Sequence, residues 1–217
     1  MTTIGFLHTS PVHSATFRAL VAELLPNARV IEVVDEIVLD QARRRGVRDI
    51  RVIGAVADRL AELVEADVVV CTCSTLGGVA EHVGRAAGAD VLRVDRPMVE
   101  RAVELAGVGP GRVAVVAALE STIAPTRDLF DEVMLATGAD LDVEVHVVDG
   151  AWERFASGDV EGYLDAIADR LVSIGSSVDV VVLAQASMAP AVARLDALVP
   201  ILSSPRLAIE ALRARSA

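Results

Sequence analysis

Aromatic residues are scarce in this chain. Four Phe, one Trp and one Tyr make up 3% of its 217 residues, although 53% of the chain is hydrophobic. Ala, Val and Leu must therefore do the packing, as they do in sheets covered on both faces by helices. Positive charge is also short: 20 Lys and Arg stand against 31 Asp and Glu, a net charge of −11. With no basic stripe to neutralise phosphates, nucleic acid is excluded as a partner. No apolar run approaches the ~20 residues of a membrane span, so none is expected. The N-terminus, Met1 to Leu7, lacks the basic and long apolar regions of a secretory signal. The only cysteines are Cys71 and Cys73. Two cysteines one residue apart cannot build a disulfide framework, which implies a reducing, cytoplasmic setting. A lone C-x-C with scattered His falls short of a zinc ligand set, and the C-x-x-C of a redox pair is absent. His8-Thr9-Ser10-Pro11-Val12 offers no glycine for close approach to a pyrophosphate, so a dinucleotide or P-loop site is not expected. Neither a metal nor a cofactor is implied.

What the chain does have is the stretch from Asp67 to Gly78. Three valines run into Cys71-Thr72-Cys73-Ser74-Thr75, and a Gly pair follows. It reads as a buried strand ending in a polar turn that feeds a helix, and the carboxyl ends of such strands are where ligands sit in open α/β sheets. Around it the chain alternates strand and helix patterns. Strands are expected over 4–8, 29–34, 68–73, 91–94, 113–118, 143–148, 180–184 and 201–202. Helices are expected over 15–25 with Ser14 as N-cap, 47–64, 76–87, from Pro97 to 106, 124–136, 160–174 and 205–213. The basic run Arg43-Arg44-Arg45 reads as a solvated turn, and Trp152, Phe155 and Tyr163 as packing around a connection. Asp67-Val-Val-Val matches Asp179-Val-Val-Val at an offset of 112 residues, and at the same offset Thr9-Ser10 matches Ser121-Thr122 and Cys73 matches Gln185. The expected fold is α/β, with two similar parallel-sheet halves related by a pseudo-two-fold and an active-site cleft between them. The first half spans 1–95 plus a C-terminal helix at about 204–217, and the second spans 96–203.

Within a strand Cys71 and Cys73 point to one face. Cys73 is last before the turn and can meet a ligand, whereas Cys71 is one pleat deeper and reads as core. A helix N-terminus depresses a nearby thiol's pKa and favours a bound carboxylate. Ser74 and Thr75 add neutral donors, and Thr9, Ser10, Ser121 and Thr122 do the same at equivalent strand ends, with turn or cap formation as the plainer role. His8 ends the first strand and reads as a buried structural histidine or as a site group. Arg96 and Arg127 follow polar turns and read as surface residues.

Val70-Cys71-Thr72-Cys73-Ser74-Thr75 and Leu183-Ala184-Gln185-Ala186-Ser187 resemble the two motifs of the aspartate/glutamate/hydantoin racemase superfamily, and the resemblance covers nearly the whole chain. It implies a cofactor-independent racemase or isomerase of a small, amino-acid-like carboxylate, working through an enolate-like intermediate. Cys73 falls on the first catalytic thiol and Gln185 on the second, where an amide cannot carry a proton. Thr9, Ser10, Ser74, Thr75, Ser121, Thr122 and Ser187 fall where that family binds substrate. With one thiol, two alternatives stand beside racemisation: decarboxylation of a malonate-type acid, or carboxylate binding without turnover. Oligomeric state, a homo-oligomer included, is left open.

Overall fold

The computed structural model describes residues 2–215. The chain forms two compact units, one of residues 1–96 with 205–217, the other Pro97–Ser204. Each unit carries one four-stranded parallel sheet.

In the first unit the strands are β1 (Thr3–His8), β2 (Arg29–Val34), β3 (Val68–Cys71) and β4 (Val91–Arg93), in the order β2-β1-β3-β4. The helices are α1 (Val12–Leu24), α2 (Glu36–Arg45), α3 (Ile50–Ala61) and α4 (Ser74–Ala87), with α9 (Ser204–Arg215) at the end of the chain. The second unit holds β5 (Arg112–Ala117), β6 (Asp142–Val147), β7 (Val180–Leu183) and β8 (Ile201–Ser203), in the order β6-β5-β7-β8. Its helices are α6 (Ile123–Thr137), α7 (Ala151–Ser157) and α8 (Val160–Ile174), together with α5 (Arg96–Ala106), whose first residue belongs to the first unit. Short 3₁₀ segments follow β5 (Glu120–Thr122) and β7 (Ala186–Arg194).

The central strands β3 and β7 are fully buried four-residue runs of three valines and a fourth apolar residue, VVVC and VVVL, the pattern of parallel strands covered on both faces. Edge strands β2 and β6 carry charge and partial exposure. Leu7, Val69, Cys71, Leu76 and Ala80 pack with Val52 and Val56 of α3. Val116, Val181 and Leu183 pack with Tyr163, Ile167 and Leu171 of α8. Both strand-opening aspartates do one job: Asp67 Oδ2 accepts the Thr3 N–H and Asp179 Oδ2 the Arg112 N–H, each at 2.7 Å. They satisfy the first donor of the neighbouring strand, which lies outside the ladder.

Several expectations need correction. The offset of 112 holds for β3 and β7, but Thr3–His8 corresponds to Arg112–Ala117, an offset of 109. Thr9 is therefore equivalent to Ala118, not Ser121, and Ser121-Thr122 lie further on in the 3₁₀ turn. The expected 47–64 helix is shorter, and α2 precedes it, capped by the Asp35 side chain on the N–H groups of Ile37 and Val38. Arg43, Arg44 and Arg45 form the last turn of α2 rather than a loop, where cations complement the helix dipole. Helix α1 begins at Val12, so Ser14 is not its N-cap; the Ser14 hydroxyl donates to Glu32. Helix α7 has no counterpart in the expected set, because seven residues are too few to set a period.

Helix α4 approaches β4 through small residues. A β-carbon at Gly77 would lie 2.7 Å from Arg93 Cβ, and one at Gly84 would lie 2.3 Å from Val91 Cγ2. The glycines after the thiol motif thus serve packing of this helix on the sheet edge. Gly88 ends α4 at φ 71°, the left-handed closure glycine supplies without strain.

Candidate functional site

Cys73 is the N-cap of α4, just past β3, and is buried. The Thr9 hydroxyl beyond β1 and the N–H groups of Leu76 and Thr75 in the first turn of α4 lie near its sulfur and favour its thiolate, although the sulfur makes no capping hydrogen bond to the helix start. Thr9, Cys73, Ser74 and Thr75 thus meet at the carboxyl end of the first sheet, while Ser10 sits in the turn before α1, where its carbonyl accepts the His13 N–H. The sequence pattern led to a depressed thiol pKa. The structure reverses that: burial raises Cys73 above the ordinary thiol value, and the three donors only partly offset it. Cys73 therefore rests as a thiol. Cys71 is fully buried, donates weakly to the Cys73 carbonyl at 3.7 Å, and is likewise pushed up by burial.

Ser74 Oγ is buried without a hydrogen-bond partner. Buried hydroxyls are normally paired, so this one is a donor available to a ligand beside the thiol. Beside α4, Arg93 makes a bidentate pair with Asp95, at 2.7 and 2.8 Å, with both side chains almost wholly buried. Asp95 Oδ1 comes within 3.6 Å of the missing Gly77 β-carbon. Glu81 accepts from Arg96 at 2.9 and 2.6 Å and from the Arg93 N–H. Burial alone would raise Glu81; the Arg96 bonds and charge instead hold it below the usual carboxylate value.

In the second unit Gln185 holds the position equivalent to Cys73, as the N-cap of the 3₁₀ segment that follows β7. Its Oε1 accepts the Ala118 N–H at 2.9 Å and its Nε2 donates to Thr122 Oγ1 at 2.8 Å. The strand registers make the equivalence close: Thr9 and Ala118 directly follow the first strand of their units, and Cys73 and Gln185 are each the second residue after the third. Ser121 Oγ is buried and unpartnered. Ser187 is 2.8 Å from the Tyr163 hydroxyl, and burial pushes that phenol up to about 12. Ser187 is thus tied to α8.

Two features escaped the sequence reading. Thr126, in the first turn of α6, is buried with its hydroxyl unpartnered. The Arg93–Asp95 pair is invisible in a sequence where both residues resemble loop charges. His8 is fully buried, its ring stacked 5.5 Å from Phe6. Among the described residues, no group of three or more His, Cys, Asp or Glu is placed to hold a metal ion, and no helix is long and apolar enough to cross a membrane.

No protein-family profile matches the sequence, and no curated protein matches it. Solved structures do match in fold. A glutamate racemase from Bacillus anthracis aligns over 99% of this chain and 81% of its own, with 18% identity and a TM-score of 0.69. A putative Asp/Glu racemase from Yersinia pestis aligns over 100% and 99%, with 15% identity and a TM-score of 0.69. An allantoin racemase from Klebsiella pneumoniae aligns over 100% and 88%, with 15% identity and a TM-score of 0.62. At these identities the likeness is one of fold.

Proposed function

We propose that the chain is a cofactor-independent racemase or isomerase of a small, amino-acid-like carboxylate, with Cys73 as its acid/base thiol. The observation that carries this reading is the buried Cys73 sulfur at the start of α4, near one hydroxyl and two helix-start N–H groups and beside an unpartnered serine hydroxyl. Such donors favour the thiolate that forms when the proton leaves, and the same helix start favours a carboxylate. The racemase folds named above support the reaction class. Thr9, Ser10, Ser74 and Thr75 serve as carboxylate donors around the thiol; Ser121, Thr122 and Ser187 are the candidate donors of the second unit.

Gln185 favours a second reading. An amide committed to Ala118 and Thr122 carries no proton, so transfer falls to one thiol, and that thiol rests protonated. Decarboxylation of a malonate-type acid suits such a group. The C–C bond breaks to release CO₂, the enolate carbon takes the Cys73 proton, and water restores the thiol. Both readings are tested by proton NMR in D₂O across small amino and hydroxy acids, together with CO₂ release from substituted malonates. Exchange or release that disappears in Cys73→Ala supports thiol chemistry. Thermal stabilisation by a carboxylate with no turnover, retained in Cys73→Ala, marks a binding protein instead.

A further inference from the structure

The last backbone bond between β1 and β3, among the described residues, is Thr72 N–H to Leu7 O at 3.0 Å. Immediately beyond it come Thr9 and Cys73, whose side chains must meet with no ladder to hold them. One side-chain bond lies between: His8 Nδ1 to Thr72 Oγ1 at 2.8 Å. Thr72 Oγ1 in turn lies 3.2 Å from Leu7 O, to which it donates. A hydroxyl has one hydrogen, so Thr72 accepts from His8, and His8 carries its proton on Nδ1. The bare Nε2 faces Glu32 Oε1 at 3.6 Å, beyond hydrogen-bond distance, and both atoms are buried and unpartnered.

We infer that His8 is a positioning residue for the reactive thiol: its Nδ1–H bond to Thr72 is the last rung between β1 and β3, and it sets the contact of the Thr9 hydroxyl with Cys73. The inference rests on the reading of Cys73 as the reactive thiol. The groups facing the ring are known from each neighbouring element. They are Glu32 from β2, Thr72 from β3, Phe6 from β1, and His13, Ser14, Phe17 and Arg18 around α1, with Ser14 and Arg18 engaged by Glu32. Burial lowers the His8 pKa and Glu32 only partly offsets this, so the ring is neutral at pH 7. Its single proton is then committed to Thr72 rather than shared with Glu32.

The test is the pH dependence of Cys73 alkylation, mapped by mass spectrometry in the intact chain. Asn places its amide nitrogen where Nδ1 stands, whereas Gln reaches only the Nε2 position. His8→Asn and Thr72→Ser are expected to keep the wild-type midpoint. His8→Gln and Thr72→Val are expected to move it to higher pH, with roughly tenfold slower labelling at a fixed pH below the midpoint, the size of one pH unit. Both His8 variants lose the stacked ring and should melt earlier, so a midpoint that follows melting temperature overturns the inference. So does an unchanged midpoint in Thr72→Val, a pair free of the stacking loss. A wild-type Cys73 that no pH renders reactive overturns the thiol reading and this inference together. Normal labelling with identical midpoints in all four variants overturns this inference alone.

Discussion

Asp95→Asn removes one charge and almost no volume from the most deeply buried ion pair of the first unit. The side chains of Arg93 and Asp95 are 4% and 1% exposed. Burial alone would push the Arg93 guanidinium down; the Asp95 charge outweighs that and holds it above its ordinary value. Losing the carboxylate leaves a guanidinium without its bidentate partner, a change that costs about 3–5 kcal/mol at such sites. The lower end applies here, since Glu81 also attracts Arg93. Arg93→Met with Asp95→Leu removes both charges and should recover most of the loss, because two desolvated charges are replaced by apolar packing. The assay is guanidinium-chloride unfolding at pH 7 of wild type, Asp95→Asn, Arg93→Met, Asp95→Leu and the Arg93→Met/Asp95→Leu double variant, the last three analysed with wild type as a mutant cycle. The expected coupling is about 2–4 kcal/mol in the sense that the double variant is far more stable than the sum of singles. A single variant within 1 kcal/mol of wild type, or a double variant as costly as the two singles combined, refutes the reasoning.

Other outcomes follow from the same geometry. Gly77→Ala should cost about 1–3 kcal/mol by overpacking Arg93, read as a lowered unfolding midpoint. His13 is lowered to about 4 by burial first and by His8 second. Unfolded histidine titrates near 6.5, so between those values the unfolded chain binds more protons and stability rises with pH. Stability is full above about pH 6.5 and falls by about 1–2 kcal/mol toward pH 4, once the partial exposure of the ring is allowed for. His13→Gln should flatten the melting-temperature profile over that range. Alkylation should label Cys73 before Cys71, and equal or reversed labelling counts against the strand-end site. Gln185→Ala should destabilise by about 1–3 kcal/mol, because it strands the Ala118 N–H; an unchanged midpoint would show that this N–H finds another partner.

The parallel α/β architecture was legible because buried central strands announce themselves: Val68 to Val70 and Val180 to Val182 are runs with no polar interruption. Helix α8 was legible to the residue, since fifteen residues of period 3.6 sit between Asp159 and Gly175. Helix α2 was lost because EIVLDQARRR is half charged, and its start depends on an Asp35 cap that spacing alone does not reveal. The register of the repeat was misjudged at β1 and β5. Hydroxyl pairs look alike in sequence, whereas the strand registers show that Ala118 answers Thr9.

By itself the sequence determined the periodicities, the two closely spaced thiols, the correspondence of Gln185 to Cys73 across the repeat, and the absence of a phosphate loop. Each is a property of residue type and spacing, and both survive any folding. Tertiary structure alone decided the state of the thiol. A helix start lowers a sulfur's proton affinity and burial raises it; burial is set by residues distant in the chain, and here it prevails. It also decided that Gly77 exists for Arg93, and that His8 serves Thr72 across 64 residues of sequence. Those are distances between strands, which no local pattern encodes.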